Sequence, residues 1–368
     1  MKQVLIIGGA GRIGRNVAMD LLQYQQIGLT ITSTTAQTGS AIALDLGPQV
    51  QFQVLDLADR KAVEAAIAPQ DLVIHCAGPF QDRNTQVLEL CIQHQVNYLD
   101  VSDHPSFTEQ ARQWHDQAVA AGVTAIVNTG IFPGISNSMV RQDVETLDQP
   151  QNIHLSYVVA GTGGAGITIM RTTFLGLQHP FHAWLEGRWQ QVQPYSECET
   201  IPFPPPYGPV KVFWFDVPER LTLTQSFAVQ SVVTKFGSVP AIYNGLTWAL
   251  AHWLPKTWLR ERRVIEFLAW AGFVTTQFTN RWSGTGVAIR SQVTGLRAGR
   301  SAQASSSLVL PDTAIAAGYG TGSIAQLILS QRLKQPGVWP VEAALPTPLF
   351  QEMMALREVV IKQNIVAT

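Results

Sequence analysis

The chain has 368 residues, 46% hydrophobic and 14% charged, with a formal net charge of −1; this supports a large core and two domains and excludes nucleic acid as the main partner. Cys76, Cys91 and Cys198 form no C-x-x-C pair, which points to a reduced, cytoplasmic protein without a zinc site. A single lysine precedes the first apolar run and no apolar stretch reaches about 18 residues, so neither a signal peptide nor a transmembrane helix is expected.

Val4–Ile7 reads as a buried parallel strand that runs into Gly-Gly-Ala-Gly-Arg-Ile-Gly at 8–14, with a helix expected over Arg15–Gln23. Gly9, Gly11 and Gly14 fit G-x-G-x-x-G in the strand–turn–helix setting that gives the motif meaning. One glycine permits the tight turn, one lets the backbone approach a pyrophosphate, and one lets the helix pack against the strand. The helix N-terminus then offers N–H groups and a positive dipole end to phosphates. Gly9, Ala10, Gly11, Arg12, Ile13 and Gly14 are therefore candidate cofactor residues.

Leu29–Thr34 is the second strand, and a ribose-binding acid belongs about 20 residues past the glycines. Ser33, Thr34 and Thr35 stand there instead. Without a carboxylate to repel a 2′-phosphate, and with Arg12 in the turn, the residues favour NADP, with NAD the alternative. A plain polar turn is the bland reading. Val50–Leu55 is the third strand and ends at Asp56-Leu57, which reads as an adenine contact, as a cap for the helix Arg60–Ile67, or as both. Asp71–Cys76 is the fourth strand; Ala77, Gly78 and Pro79 after it leave room for a cofactor backbone ahead of the helix Thr85–His94. Tyr98–Val101, the helix Ser106–Ala121 and Val123–Asn128 complete six alternating strands, which predicts a doubly wound parallel sheet. A helix is expected over Ser138–Leu147.

Four motifs then agree in order: 8–14, Val-Ile-His-Cys-Ala-Gly-Pro-Phe at 73–80, Asn-Tyr-Leu-Asp-Val-Ser-Asp at 97–103, and Gly-Ile-Phe-Pro-Gly-Ile-Ser-Asn at 130–137. Together with Pro-Gly-Val-Trp-Pro-Val-Glu at 336–342, the set resembles the saccharopine dehydrogenase-like oxidoreductases. The resemblance implies a nicotinamide cofactor and a second domain inserted before a C-terminal return to the first. It does not imply saccharopine as substrate, since the wider family includes reductases of imines and of unsaturated lipid-like molecules. The expected fold is α/β: a Rossmann-type doubly wound parallel sheet over 1–134, an inserted α+β domain for substrate and dimerisation over 135–312, and C-terminal helices over 313–368.

In the middle, Asn152–Ala160 reads as a strand before a second glycine loop, 161–166, and the helix-compatible Ile167–Gln178. That loop, with Arg171 a turn inside the helix, reads as an anion site or as a close-packed turn. The proline-rich stretch 194–209 reads as a surface loop, and Val210–Phe215, Thr222–Val229, Gln230–Thr234, Arg281–Gly295 and Ser305–Leu310 as strands. Residues 236–278 place Trp248, Trp253, Trp258 and Trp270 among Leu and Ala, with Lys256, Arg260, Arg262 and Arg263 between them. They read as a helical hairpin on the core or on a homodimer partner, as a lid over an apolar cleft, or as a peripheral membrane contact. Ala314–Lys334 and Thr347–Asn364 are expected to be helices.

Hydride transfer asks for positioning and a proton source. Asp103 and His104, at the end of the fifth strand with Tyr98 and Asp100 behind them, are the candidate catalytic residues. No H-E-x-x-H or G-x-S-x-G motif is present, so neither a metal nor a nucleophilic hydrolase is expected. The combined reading is an NADP-dependent oxidoreductase, a reductase of a C=N or C=C bond in a small or lipophilic substrate. The rival is a non-catalytic dinucleotide-binding redox sensor or assembly protein.

Overall fold

The computed structural model describes residues 1–161, 163 and 167–367, with the backbone alone at 168, 169, 256, 260, 278 and 280–283. The chain divides into two units, Met1–Ser138 with Ala314–Val359 and Met139–Thr313 with Val360–Thr368.

The first unit holds β1 (Gln3–Ile7), β2 (Gly28–Ser33), β3 (Val50–Val54), β4 (Leu72–His75), β5 (Asn97–Asp100) and β6 (Thr124–Val127). They form one parallel sheet in the order β3-β2-β1-β4-β5-β6, and the strand Gly337–Pro340 pairs onto β6 as a seventh. Such a sheet is covered on both faces, so its strands are apolar throughout rather than alternating. Val4–Ile7 and Leu72–Ile74 are all buried. The strand order reverses beside β1, and every strand ends at the same edge. In open α/β sheets this is where ligands bind.

The helix Thr313–Leu329 packs in this unit through its glycines. A Cβ on Gly318 would stand 2.8 Å from the Asn16 carbonyl oxygen, and one on Gly320 would be as close to the Thr129 carbonyl oxygen. The first helix, Arg12–Tyr24, is tied to the C-terminal helix Thr347–Leu356 by a buried fork. Arg357 donates from Nε to Asp20 Oδ1 (2.8 Å) and from Nη2 to Oδ2 (2.6 Å), and its guanidinium lies over the Tyr24 ring.

The second unit is a mixed sheet backed by helices. Its strands are β7 (Gln149–Ala160), β8 (Phe181–Leu185), β9 (Arg188–Val192), β10 (Glu199–Phe203), β11 (Gly208–Trp214), β12 (Ser231–Val239), β13 (Gly286–Arg297) and β14 (Arg300–Leu310). The order is β10-β11-β12-β7-β13-β14, with Lys362–Ala367 on the far side of β14 and the β8–β9 hairpin attached to β12. Only β12 and β7 pair in parallel among these described strands. Glu186-Gly187 and Ala298-Gly299 both sit at positive φ, the two-residue turn whose twist matches the flanking strands. No helix among the described residues is long and apolar enough to cross a membrane.

Several elements differ from the sequence reading. Thr222–Val229 is not a strand: Pro218 opens a helix, Glu219–Ser226, which the Arg220–Asp216 ion pair (2.6 Å) steadies. The expected helix Ser106–Ala121 is two helices, Pro105–Arg112 and His115–Ala121, parted at Trp114, whose indole N–H donates to the Thr85 hydroxyl. The terminal helix stops at Leu356 because Glu358 takes a left-handed φ of 56°; beyond it Lys362–Ala367 becomes an edge strand of the second unit, so 313–368 is not helical throughout. Part of the proline-rich stretch is strand β10.

Candidate cofactor site

The site is built at the carboxyl edge of the first unit's sheet. β1 ends at Gly8, which turns at a φ of 77° and backs onto the next loop: a Cβ there would lie 2.9 Å from the Ala77 backbone. A Cβ on Gly9 would be 2.7 Å from the Ile31 side chain, and one on Gly14 would be 2.7 Å from the Gly9 Cα. The turn therefore tolerates no side chain at three places, and the helix beginning at Arg12 starts hard against the end of β1. Gly11 is its N-cap and, being glycine, contributes no side-chain cap to the first turn. A bare helix N-terminus fronted by glycine is the cradle a pyrophosphate fits. Arg12 is exposed there, Ile13 is half-buried and Ala10 donates its N–H to the Thr32 carbonyl oxygen (3.3 Å).

β2 is locked to the turn by Thr32, whose hydroxyl accepts from Gly8 N–H (3.1 Å). It ends at Ser33, which accepts from Thr35 N–H, and Thr34 is exposed. The nearest acid downstream, Asp45, lies in the last turn of the following helix and pairs with Arg15. Leu55 N–H reaches the Ser33 carbonyl oxygen (3.0 Å), so Asp56 and Leu57 follow directly beyond the end of β2. The cap of the helix Arg60–Ile67 is Asp59, which accepts from Ala62 N–H, and not Asp56, which closes its own turn by accepting from Ala58 N–H. Ala77 and Gly78 are clamped by Arg83, which donates to both carbonyl oxygens (2.8 and 3.4 Å). Pro79 precedes the short turn Phe80–Asp82.

Asp103 and His104 stand at the end of β5, one strand further from the glycine turn than the Ala77–Pro79 loop. Burial pushes the Asp103 carboxyl up to about 6. His104 is the N-cap of the helix Pro105–Arg112, and its Nδ1 shares a hydrogen bond with the Ser106 hydroxyl (2.8 Å). Behind them, Asp100 is buried and its Oδ1 accepts from Ser102 N–H, Ser102 Oγ and Asn128 N–H (2.6–3.0 Å). Burial raises its carboxyl, against those hydrogen bonds.

Three residues of this edge were not expected from the sequence. Gly8, rather than only the motif glycines, sets the approach of β1 to β4. His75 ends β4 fully buried, its ring edge-on to Phe80 at 5.0 Å; burial and then the Arg83 charge hold it down to about 3, so it is neutral. Asn128 ends β6 at a φ of 62° and donates to Ser102 and Thr108. His75 Nε2, Asp100 Oδ2 and Asn128 Oδ1 are buried without a partner among the described residues. A polar residue at the end of an apolar strand is the signal, present in the sequence, that marks His75 and Asn128.

In the second unit, the greater part of the 161–166 loop lies outside the described residues. Arg171 is paired within its unit: it donates from Nε and Nη2 to the two Glu266 oxygens (2.8 and 2.7 Å). Among the described residues no group of histidine, cysteine and carboxylate side chains could hold a metal.

Residues 4–126 match the family described as the saccharopine dehydrogenase NADP binding domain. The chain is 25% identical over 223 residues to the carboxynorspermidine synthase of Vibrio alginolyticus, which covers 53% of each chain. It is 26% identical over 86 residues to a human saccharopine dehydrogenase-like oxidoreductase, covering 23% of this chain and 20% of that protein. The match thus spans about half the length of the first of these curated relatives and less of the second. The fold of Saccharomyces cerevisiae saccharopine dehydrogenase (L-Glu forming) superposes with a TM-score of 0.73 over 100% of both chains, at 15% identity. With a Rossmann order in its first sheet, a glycine cradle at its switch point and residues 4–126 matched by that family model, the chain carries an NADP-binding domain of saccharopine dehydrogenase type and is similar to saccharopine dehydrogenase-like oxidoreductases.

Proposed function

We propose that the protein is an NADP-dependent reductase that delivers hydride to a C=N or C=C bond of a small or lipophilic metabolite. The observation that carries this reading is the acid-free end of β2 beside a built glycine cradle, in a domain of NADP-binding type. NADPH, when bound, supplies the hydride. The chain's own residues supply the rest. The Gly9–Gly14 backbone and the helix N-terminus hold the pyrophosphate. Arg12, Ser33 and Thr34 would hold the 2′-phosphate, Asp56 and Leu57 the adenine, and Ala77, Gly78 and Pro79 would leave room for the cofactor. Asp103, half-buried and raised to about 6, and the His104 imidazole beside it are the groups assigned to proton transfer.

Titration of the intact protein with NADPH and with NADH, followed by the quenching of tryptophan fluorescence, tests the cofactor assignment. NADPH is expected to bind at least tenfold tighter, a difference of about 1.4 kcal/mol, and Arg12→Ala to remove most of that preference. Equal affinities sink the NADP reading. Binding of NADPH without its oxidation across a panel of imines, enones and alkenes leaves the non-catalytic dinucleotide-binding protein as the answer.

A further inference from the structure

The second unit holds an open-sided cavity of about 500 Å³ that the cofactor site does not use. Val159 of β7 with Phe236 and Ser238 of β12 form its floor, and the helices Ile167–Leu175, Ile242–Trp253 and Arg262–Ser283 form its walls. The volume is that of an ordinary small-molecule site. None of its lining residues, among the described ones, carries a charge. We propose that this cavity binds an uncharged, lipophilic molecule.

The wall chemistry selects that class. The threonines of the long helix turn their polarity away: Thr275 donates to the carbonyl oxygens of Ala271 and Gly272 (2.8 and 3.0 Å), and Thr276 to that of Phe273 (2.8 Å). Hydroxyls bonded back to their own helix have spent their one donor and offer a guest only acceptor lone pairs. The Tyr243 phenol shares its hydrogen bond with Thr279 (2.8 Å) and keeps capacity for one more. Among the described residues the wall helices carry Arg171, Glu266, Arg262 and Arg263: the first two neutralise each other in a bidentate pair, the last two are exposed, and none of the four lines the cavity. An ion entering would lose its hydration and find no counter-charge. A neutral, mostly hydrocarbon guest would instead exchange water contacts for apolar ones.

The cavity is also reachable. Leu246 and Trp253 line it and yet are 55% and 76% exposed, so the same side chains form wall and rim. Trp258, ahead of the long wall helix, and Phe267 and Trp270, on that helix itself, are exposed too. Packed interiors rarely leave space of this size, because each wall atom beside a void loses its dispersion partners. Gly272 shows that the sequence could have filled it: a Cβ there would meet Met170 and Phe174 at 3.6 Å, ordinary contact distance.

This proposal concerns binding. That the guest is also the hydride acceptor rests on the reductase reading, and the test separates the two because it needs no turnover. The neutral dye Nile red is titrated into the full chain, and its displacement is followed with decan-1-ol and with decanoate at pH 8. Saturable binding is expected, displaced by the alcohol at concentrations at least tenfold below those of the carboxylate. Gly272→Leu, which fills the space, is expected to weaken Nile red at least tenfold while NADPH affinity and the unfolding temperature are kept. Ala271→Phe on the same wall replaces it if that variant does not fold. Unsaturable dye binding, undiminished affinity in a folded filled variant, or equal displacement by decanoate overturns the proposal. Intact dye binding in a protein that never oxidises NADPH would leave the site standing and remove the reductase.

Discussion

Gly14 shows how one missing methyl group can govern a site. It lies two residues inside the helix, where glycine costs about 1 kcal/mol against alanine, and it is there because a Cβ would press on the Gly9 Cα at 2.7 Å. Backbone on both sides leaves nothing flexible to give way, so Gly14→Ala must push the helix N-terminus off the turn. The expected outcome is a loss of NADPH affinity of tenfold or more with a lower unfolding temperature, read by fluorescence titration and calorimetry. At Asp143 a single atom matters in another way. Burial raises this carboxyl to about 6, although Ser306 donates to it at 2.6 Å and Gln363 at 3.0 Å. An acid whose folded pKa exceeds its unfolded value near 3.9 costs stability as pH rises from about 4 to about 6, and the cost is constant above that. Asp143→Asn is therefore expected to stabilise the second unit at pH 8 by up to about 3 kcal/mol, at 1.36 kcal/mol per pKa unit, and to do little at pH 4. Denaturant melts at the two pH values decide it; equal effects would mean that the carboxylate is not strained.

At the scale of elements, the sequence was most readable where one physical demand fixed the pattern. A parallel strand covered on both faces must be apolar along its length, and β1 and β4 announce themselves that way. The turn glycines follow from the contacts just described, and the acid-free end of β2 is visible in Ser33 and Thr34 themselves. Legibility failed where pairing partners far along the chain decide the element. Lys362–Ala367 has no buried face and is a strand only because β14 offers an open edge. Gly337–Pro340 is too short to show a period and exists through its pairing with β6. Thr222–Val229 alternates like a strand, yet Pro218 starts a helix ahead of it. The Asp20–Arg357 link belongs to the same class, since 337 positions separate its ends. Both side chains are essentially excluded from water, and burial already raises the Asp20 carboxyl against the guanidinium that holds it down. Arg357→Ala leaves that carboxylate buried and alone, at an expected cost of about 3–5 kcal/mol. Protonation can relieve a lone carboxyl, so the loss should be larger at pH 8 than at pH 5. Equal losses at both values would assign the effect to packing on Tyr24 instead.

On the whole-molecule scale, the chain passes between its two units three times, at 138–139, 313–314 and 359–360. Each unit nonetheless has its own sheet, and every residue assigned to the cofactor belongs to the first. Ligands stabilise only the cooperative unit whose native form they bind, by about 2.7 kcal/mol at a hundredfold excess over Kd. NADPH at that excess should therefore raise the melting of the Rossmann unit by several degrees. A transition assigned to the second unit, identified by its response to Asp143→Asn, should stay in place. Scanning calorimetry with and without NADPH reads both at once. If NADPH moves the two together, the three crossings make one cooperative molecule, and the Gly14→Ala variant should then lower the melting of both sheets. If NADPH moves only the Asp143-sensitive transition, the cofactor has been placed in the wrong unit. A shift confined to the first transition would leave hydride acceptance as the function to be sought across the second unit's surface, starting from its uncharged cavity.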